Sequence, residues 1–105
     1  MRVRTMKLKM KLPLLILPLL LGEAVYADSQ VTYQQKCMAC HDNGVAGAPK
    51  MSDRGAWTAR LAERGIEGLY TSALKGRKAM PPKGACFDCS DEQIKRVVDF
   101  MVKGN

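Results

Sequence analysis

A chain of 105 residues holds one domain at most, and with 17 Lys and Arg against 10 Asp and Glu its formal charge is +7. Five of those basic residues and one acid fall within positions 1–27, which leaves twelve against nine, a net of +3, in the rest. Much of the +7 therefore belongs to the N-terminal segment and says nothing about nucleic acid, and no nucleic-acid partner is expected.

The first segment is MRVRTMKLKMK, basic and free of acids, followed by the apolar run Leu12 to Leu21 and then GEAVYA before Asp28. Charged start, short apolar run and small residues at Val25 and Ala27 are the plan of a secretory signal peptide spanning 1–27. Crossing hydrocarbon takes about 20 apolar residues. The run has ten, interrupted by Pro13 and Pro18, so a membrane anchor fits less well. No cysteine stands at the expected cut to take a lipid. An exported domain over 28–105 is expected, with peripheral membrane contact at most. Those 78 residues bury a small core, which favours a staple or a cofactor.

Asp28 to Cys37 predicts a short helix with Val31 and Tyr33 as its contacts. It leads into Cys37-Met38-Ala39-Cys40-His41, which contains the only histidine of the chain. Cys-x-x-Cys-His is the signature of c-type haem attachment. Thiols at i and i+3 near a helix end reach the two vinyl groups on one porphyrin edge and form thioethers. The next residue then lies under the ring, where an imidazole nitrogen meets iron. Three rivals explain less. A zinc site wants four ligands, for which Cys86 and Cys89 could supply the second pair. A thioredoxin-like pair wants a βαβ context. A plain disulfide leaves His41 without a role. Cys86-Phe87-Asp88-Cys89 is followed by Ser90, so it is no second haem motif, and one haem c per chain is expected.

Residues 42 to 50 read as loop, given Gly44, Gly47 and Pro49. Ser52-Asp53 can cap a helix to about Arg64 that Gly65 stops, with Trp57 and Leu61 on one face. Ile66 to Lys75 predicts a further helix, Leu69, Ala73 and Tyr70 inward, closed by Gly76. Pro81-Pro82 prevents a helix through the next segment. Ser90 and Gln93 form a capping-box pattern, and Ile94, Val97, Val98 and Met101 make one apolar stripe behind it. No run alternates as a strand does. The fold class is all-α with long loops.

A second axial ligand decides what haem iron can do. With no second histidine, a thioether is the natural candidate. Met38 lies inside the attachment loop, Met101 belongs to the apolar stripe, and Met51 follows His41 too closely to wrap the ring. Met80 stands in a loop stiffened by Pro81-Pro82 and is the expected distal ligand. Thioether favours ferrous iron and raises the potential, and a six-coordinate iron has no open site for oxygen or peroxide.

KCMACHDNGVAGAPK, Ala56-Trp57, LYTSALKG and KAMPPKGACFDCSDEQIKRVVDFMV together resemble a class I c-type cytochrome, most closely the bacterial cytochrome c5 family. The resemblance covers nearly all of 28–105. It implies N- and C-terminal helices that cross, with haem on Cys37 and Cys40 and iron between His41 and Met80. It also implies a Pro49 carbonyl orienting the His41 ring and a Cys86–Cys89 disulfide. That bond would stiffen the end of the Met80 loop against the last helix. Zinc at Cys86 and Cys89 is the rival reading there.

Lys75, Arg77, Lys78 and Lys83 bracket Met80, either as a steering surface for acidic redox partners or as an ordinary solvated loop. Trp57 reads as core that packs on the haem edge, its indole within reach of a propionate; Tyr33 and Tyr70 read as packing residues with wet hydroxyls. The expected function is single-electron transfer by a soluble monohaem carrier, not enzymatic turnover. Its partners would be a donor respiratory complex and an acceptor oxidase or reductase, and its state a monomer or weak dimer. A haem enzyme or gas-sensing domain with a labile distal ligand is the alternative, and a haem domain of a larger respiratory complex is a third.

Overall fold

The computed structural model describes residues 17–104. The basic start of the expected signal segment and the front half of its apolar run lie outside the described residues. Four helices carry the fold: α1, Leu17–Thr32; α2, Met38–His41; α3, Arg54–Lys75; and α4, Asp91–Lys103. A π-helical turn, Tyr33–Cys37, joins α1 to α2 without a break. Short 3-10 turns at Val45–Gly47 and Pro82–Ala85 punctuate the two long loops. Among the described residues there is no strand, only an isolated bridge between Arg77 and Met80. None of these helices is long and apolar enough to cross a membrane.

α4 shows how local chemistry sets an element. The Ser90 hydroxyl accepts from the Gln93 N–H at 3.1 Å, and the Gln93 side chain accepts from the Ser90 N–H at 2.8 Å, so both halves of the capping box form. Asp91 and Glu92 occupy the first turn, where the helix dipole is positive. Gly104, at φ 78°, ends the helix in the left-handed conformation. α3 opens on Asp53, whose carboxylate accepts from the Ala56 N–H at 3.1 Å. Gly65 breaks α3 in the middle at φ 66°, ψ 172°. The expected stop is therefore a kink between two packed halves.

α4 serves two cores from adjacent faces. Ile94 and Val98 join Leu69, Ala73 and the two buried cysteines 86 and 89, with Leu61 and Met80 packed at the margin. Val97, Phe100 and Met101 join Tyr33 and Trp57, with Cys37 and Met51 at the margin. Trp57 and Leu61, expected on one face, thus serve different clusters. The Phe100 ring lies 5.7 Å from that of Tyr33, which locks the chain just before the Cys-x-x-Cys-His motif onto the last helix. Val31, an expected contact, is 48% exposed, whereas Tyr33 is 5% exposed. Ser29 and Thr32 are buried instead of Val31. Each hydroxyl donates at 3.0 Å to the carbonyl four residues back, which removes the cost of burying it.

α1 runs through the expected cleavage point after Ala27, and the Tyr26 ring meets Phe100 edge-on at 5.5 Å.

Candidate haem site

The π-helical turn places the motif. The Met38 N–H reaches back to the Tyr33 carbonyl, five residues away rather than four. This one-residue shift leaves the Tyr33 ring in the core and brings Cys37, half-buried, to the core's margin. Cys40, one turn on, is exposed, and both thiols are free. Burial, and secondarily the neighbouring Cys40, pushes the Cys37 thiol up to about 11.

His41 is 8% exposed. Its Nδ1 lies 2.8 Å from the Pro49 carbonyl oxygen. A carbonyl only accepts, so Nδ1 carries a proton and donates, and in the neutral ring Nε2 is the nitrogen with the lone pair. That is the tautomer a metal-bound imidazole needs. The connecting loop is fixed at a second point, because the Met51 N–H donates to the His41 carbonyl at 2.8 Å. The Trp57 ring lies 6.0 Å from the His41 ring, and its indole N–H donates to the Lys50 carbonyl at 2.9 Å. The Trp57 indole therefore serves the loop behind His41, not a propionate.

Met80 ends a tight turn. Its N–H donates to the Arg77 carbonyl at 2.9 Å and its carbonyl accepts from the Arg77 N–H at 3.0 Å. Gly76, at φ 83°, permits this turn: a Cβ there would stand 2.8 Å from the Met80 carbonyl oxygen. The Met80 side chain is half-buried against the first core. Beyond Pro81-Pro82 the backbone passes close to the motif, since a Cβ at Gly84 would lie 3.8 Å from the Lys36 carbonyl and 4.0 Å from the Met80 methyl. The structure thus gathers Cys37, Cys40, His41 and Pro49 into one unit and carries the Met80 segment past its edge.

Cys86 and Cys89 are bonded through their sulfurs, with Cα atoms 5.4 Å apart. Asp88 also approaches this pair. Lys83 bends over them, its ammonium donating to the Cys89 carbonyl at 2.9 Å and pairing with Asp91 at 3.1 Å. Lys83 is therefore a brace between the Met80 loop and α4. The exposed cations of the loop are Lys75, Arg77 and Lys78.

These residues fit a covalently held haem. Two unpaired thiols stand three residues apart, the adjacent imidazole is buried, and its free nitrogen is held in the ligating tautomer. A family model described as cytochrome C oxidase, cbb3-type, subunit III matches residues 24–101. Cytochrome c5 of Ectopseudomonas mendocina is 46% identical over 81 residues, which cover 76% of this chain and 91% of that protein. Cytochrome c5 of Azotobacter vinelandii is 47% identical over 66 residues, 62% of this chain and 80% of the relative. A solved cytochrome c chain, from a crystal structure of an electron-transfer complex of nitrite reductase with cytochrome c, superposes with a TM-score of 0.68. It is 35% identical, and the match covers 73% of this chain and 93% of that one. The cofactor is haem c, and Cys37, Cys40 and His41 fit the Cys-x-x-Cys-His motif. Motif, all-helical fold and relatives agree, and the chain belongs to the class I c-type cytochromes, close to cytochrome c5, as a monohaem electron-transfer protein.

Proposed function

We propose that this cytochrome is a periplasmic carrier whose haem iron is held between His41 and Met80 and which passes single electrons between respiratory proteins. The observation that carries the reading is the His41–Pro49 hydrogen bond, which fixes the ring and leaves Nε2 as the nitrogen open to a metal. Bound haem supplies a one-electron ferric/ferrous couple. The chain's residues set its terms. Cys37 and Cys40 would hold the group by thioethers. His41, oriented by its carbonyl partner, would offer Nε2 to the iron. Met80, on its pinned turn, would offer its thioether as a further ligand, which would close the iron to small ligands. The buried residues of both cores keep water out.

The Cys86–Cys89 bond, closed over the end of the Met80 segment, suits an oxidising compartment. So does the signal-like plan of residues 1–27, with Asp28 as the first residue after cleavage. The exposed Lys75, Arg77 and Lys78 suit a partner with an acidic rim. The structural relative is complexed with a nitrite reductase, and an acceptor of that class, a reductase or an oxidase, fits this chain.

The test is the visible spectrum of the purified holoprotein. A weak sulfur-to-iron band at the red end of the ferric spectrum, lost in Met80→Ala together with a fall in potential, is the expected result. Carbon monoxide that binds the unaltered ferrous protein quickly would point to an open distal site and overturn the assignment.

A further inference from the structure

α3 begins with Arg54, directly after its cap Asp53. A cation in that first turn opposes the helix dipole. Its guanidinium is committed elsewhere. Nη1 donates to the Met51 carbonyl at 2.9 Å and to the Met101 carbonyl at 3.0 Å, and Nη2 donates to the Val102 carbonyl. Met101 and Val102 lie at the end of α4, where carbonyls lack intrahelical donors. Gly104 leaves room for the clamp: a Cβ there would fall 2.5 Å from the guanidinium carbon.

Three successive carbonyls of the proximal loop are thus each held by a side chain. Pro49 accepts from His41, Lys50 from Trp57 and Met51 from Arg54. Trp57 packs against α4, but of the three only Arg54 also hydrogen-bonds to α4, the helix shared by both cores.

We propose that Arg54 is a positioning residue for the proximal ligand. It fixes the register of residues 49–51 against the end of α4, and so sets the strength of the His41–Pro49 hydrogen bond and the reduction potential. The inference rests on His41 as an iron ligand. A strong bond from Nδ1–H makes Nε2 more basic and favours ferric iron, so loosening it raises the potential.

The test compares haem-loaded wild type, Arg54→Met, Arg54→Lys and Asp53→Ala. Asp53→Ala weakens the same helix end but leaves the clamp in place. Two quantities are measured: solvent exchange of the His41 Nδ1 proton by NMR in the ferrous protein, and the reduction potential. Loss of charged hydrogen bonds predicts exchange about tenfold faster in Arg54→Met than in Asp53→Ala, with a higher potential. Arg54→Lys, which keeps a donor and the charge, should fall between. Equal exchange and potential in Arg54→Met and Asp53→Ala overturn the proposal. Should Arg54→Met yield no folded holoprotein, Arg54→Lys against Asp53→Ala decides by the same comparison. A His41 ring without haem-induced shifts in wild type would remove the ligand assignment and this proposal together. A shifted ring with unchanged exchange would remove this proposal alone.

Discussion

The His41 ring is held to the carbonyl oxygen of Pro49, eight positions further along the chain, by a 2.8 Å hydrogen bond. The acceptor is backbone, so the pyrrolidine ring serves only to restrict the loop. Pro49→Ala keeps the carbonyl and frees φ, with an expected loss of about 0.5–1 kcal/mol in stability. Haem loading should survive, and denaturant unfolding of the holoprotein measures the difference.

Gly76 is a sharper test of the distal loop. Any side chain there meets both a φ of 83° and the Met80 carbonyl at 2.8 Å. Gly76→Ala should cost about 1–3 kcal/mol through backbone strain. It should also displace Met80, seen as faster carbon monoxide binding to the ferrous protein. A variant as closed to carbon monoxide as wild type would separate this turn from distal ligation.

The Cys86–Cys89 bond spans three residues, so its effect through chain entropy should not exceed about 3 kcal/mol. Its second effect is local. Replacing both cysteines by serine should loosen the Lys83 brace and the Met80 segment more than it loosens α1. Hydrogen exchange along the chain reads that difference directly.

Tyr70 gives a pH dependence. Its hydroxyl donates to Asp99, and this bond, then burial, then the nearby Asp99, Glu67 and Glu92 charges, push it up to about 12 from an ordinary 10.0. A group raised on folding contributes stability that is complete below its unfolded value and is lost as pH climbs through the folded one. Tyr70→Phe should therefore be less stable than wild type at neutral pH. The gap should close as pH rises from about 10 to about 12. Unfolding curves collected across that window check the sign.

The parts of the fold that depend on neighbours along the chain are legible in the sequence itself. The Ser90–Gln93 capping box, the break at Gly65, the stop at Gly76 and the Cys37-x-x-Cys40-His41 motif are all local. What the sequence misplaces is long-range. Val31 reads as a core residue by type, but the π-helical turn and the Tyr33–Phe100 contact turn it outward. Phe100 falls outside the expected stripe, because its partners Tyr33 and Trp57 lie far back in the chain. Lys83 reads as one of the loop's free cations, although its ammonium is tied to Asp91 and the Cys89 carbonyl. Arg54 leaves one faint local sign, a cation in the first turn of a helix; the carbonyls that explain it lie 47 and 48 residues away.

Haem iron held by His41 and Met80 is tested most directly by the proton NMR spectrum of the ferrous holoprotein. With the Met80 sulfur on iron, its methyl would sit over the porphyrin face, where the ring current would move it far upfield of every other methyl. The account predicts one such three-proton resonance, absent from Met80→Ala and retained in Met51→Ala. An upfield region without a methyl signal, or one that persists in Met80→Ala, would contradict it.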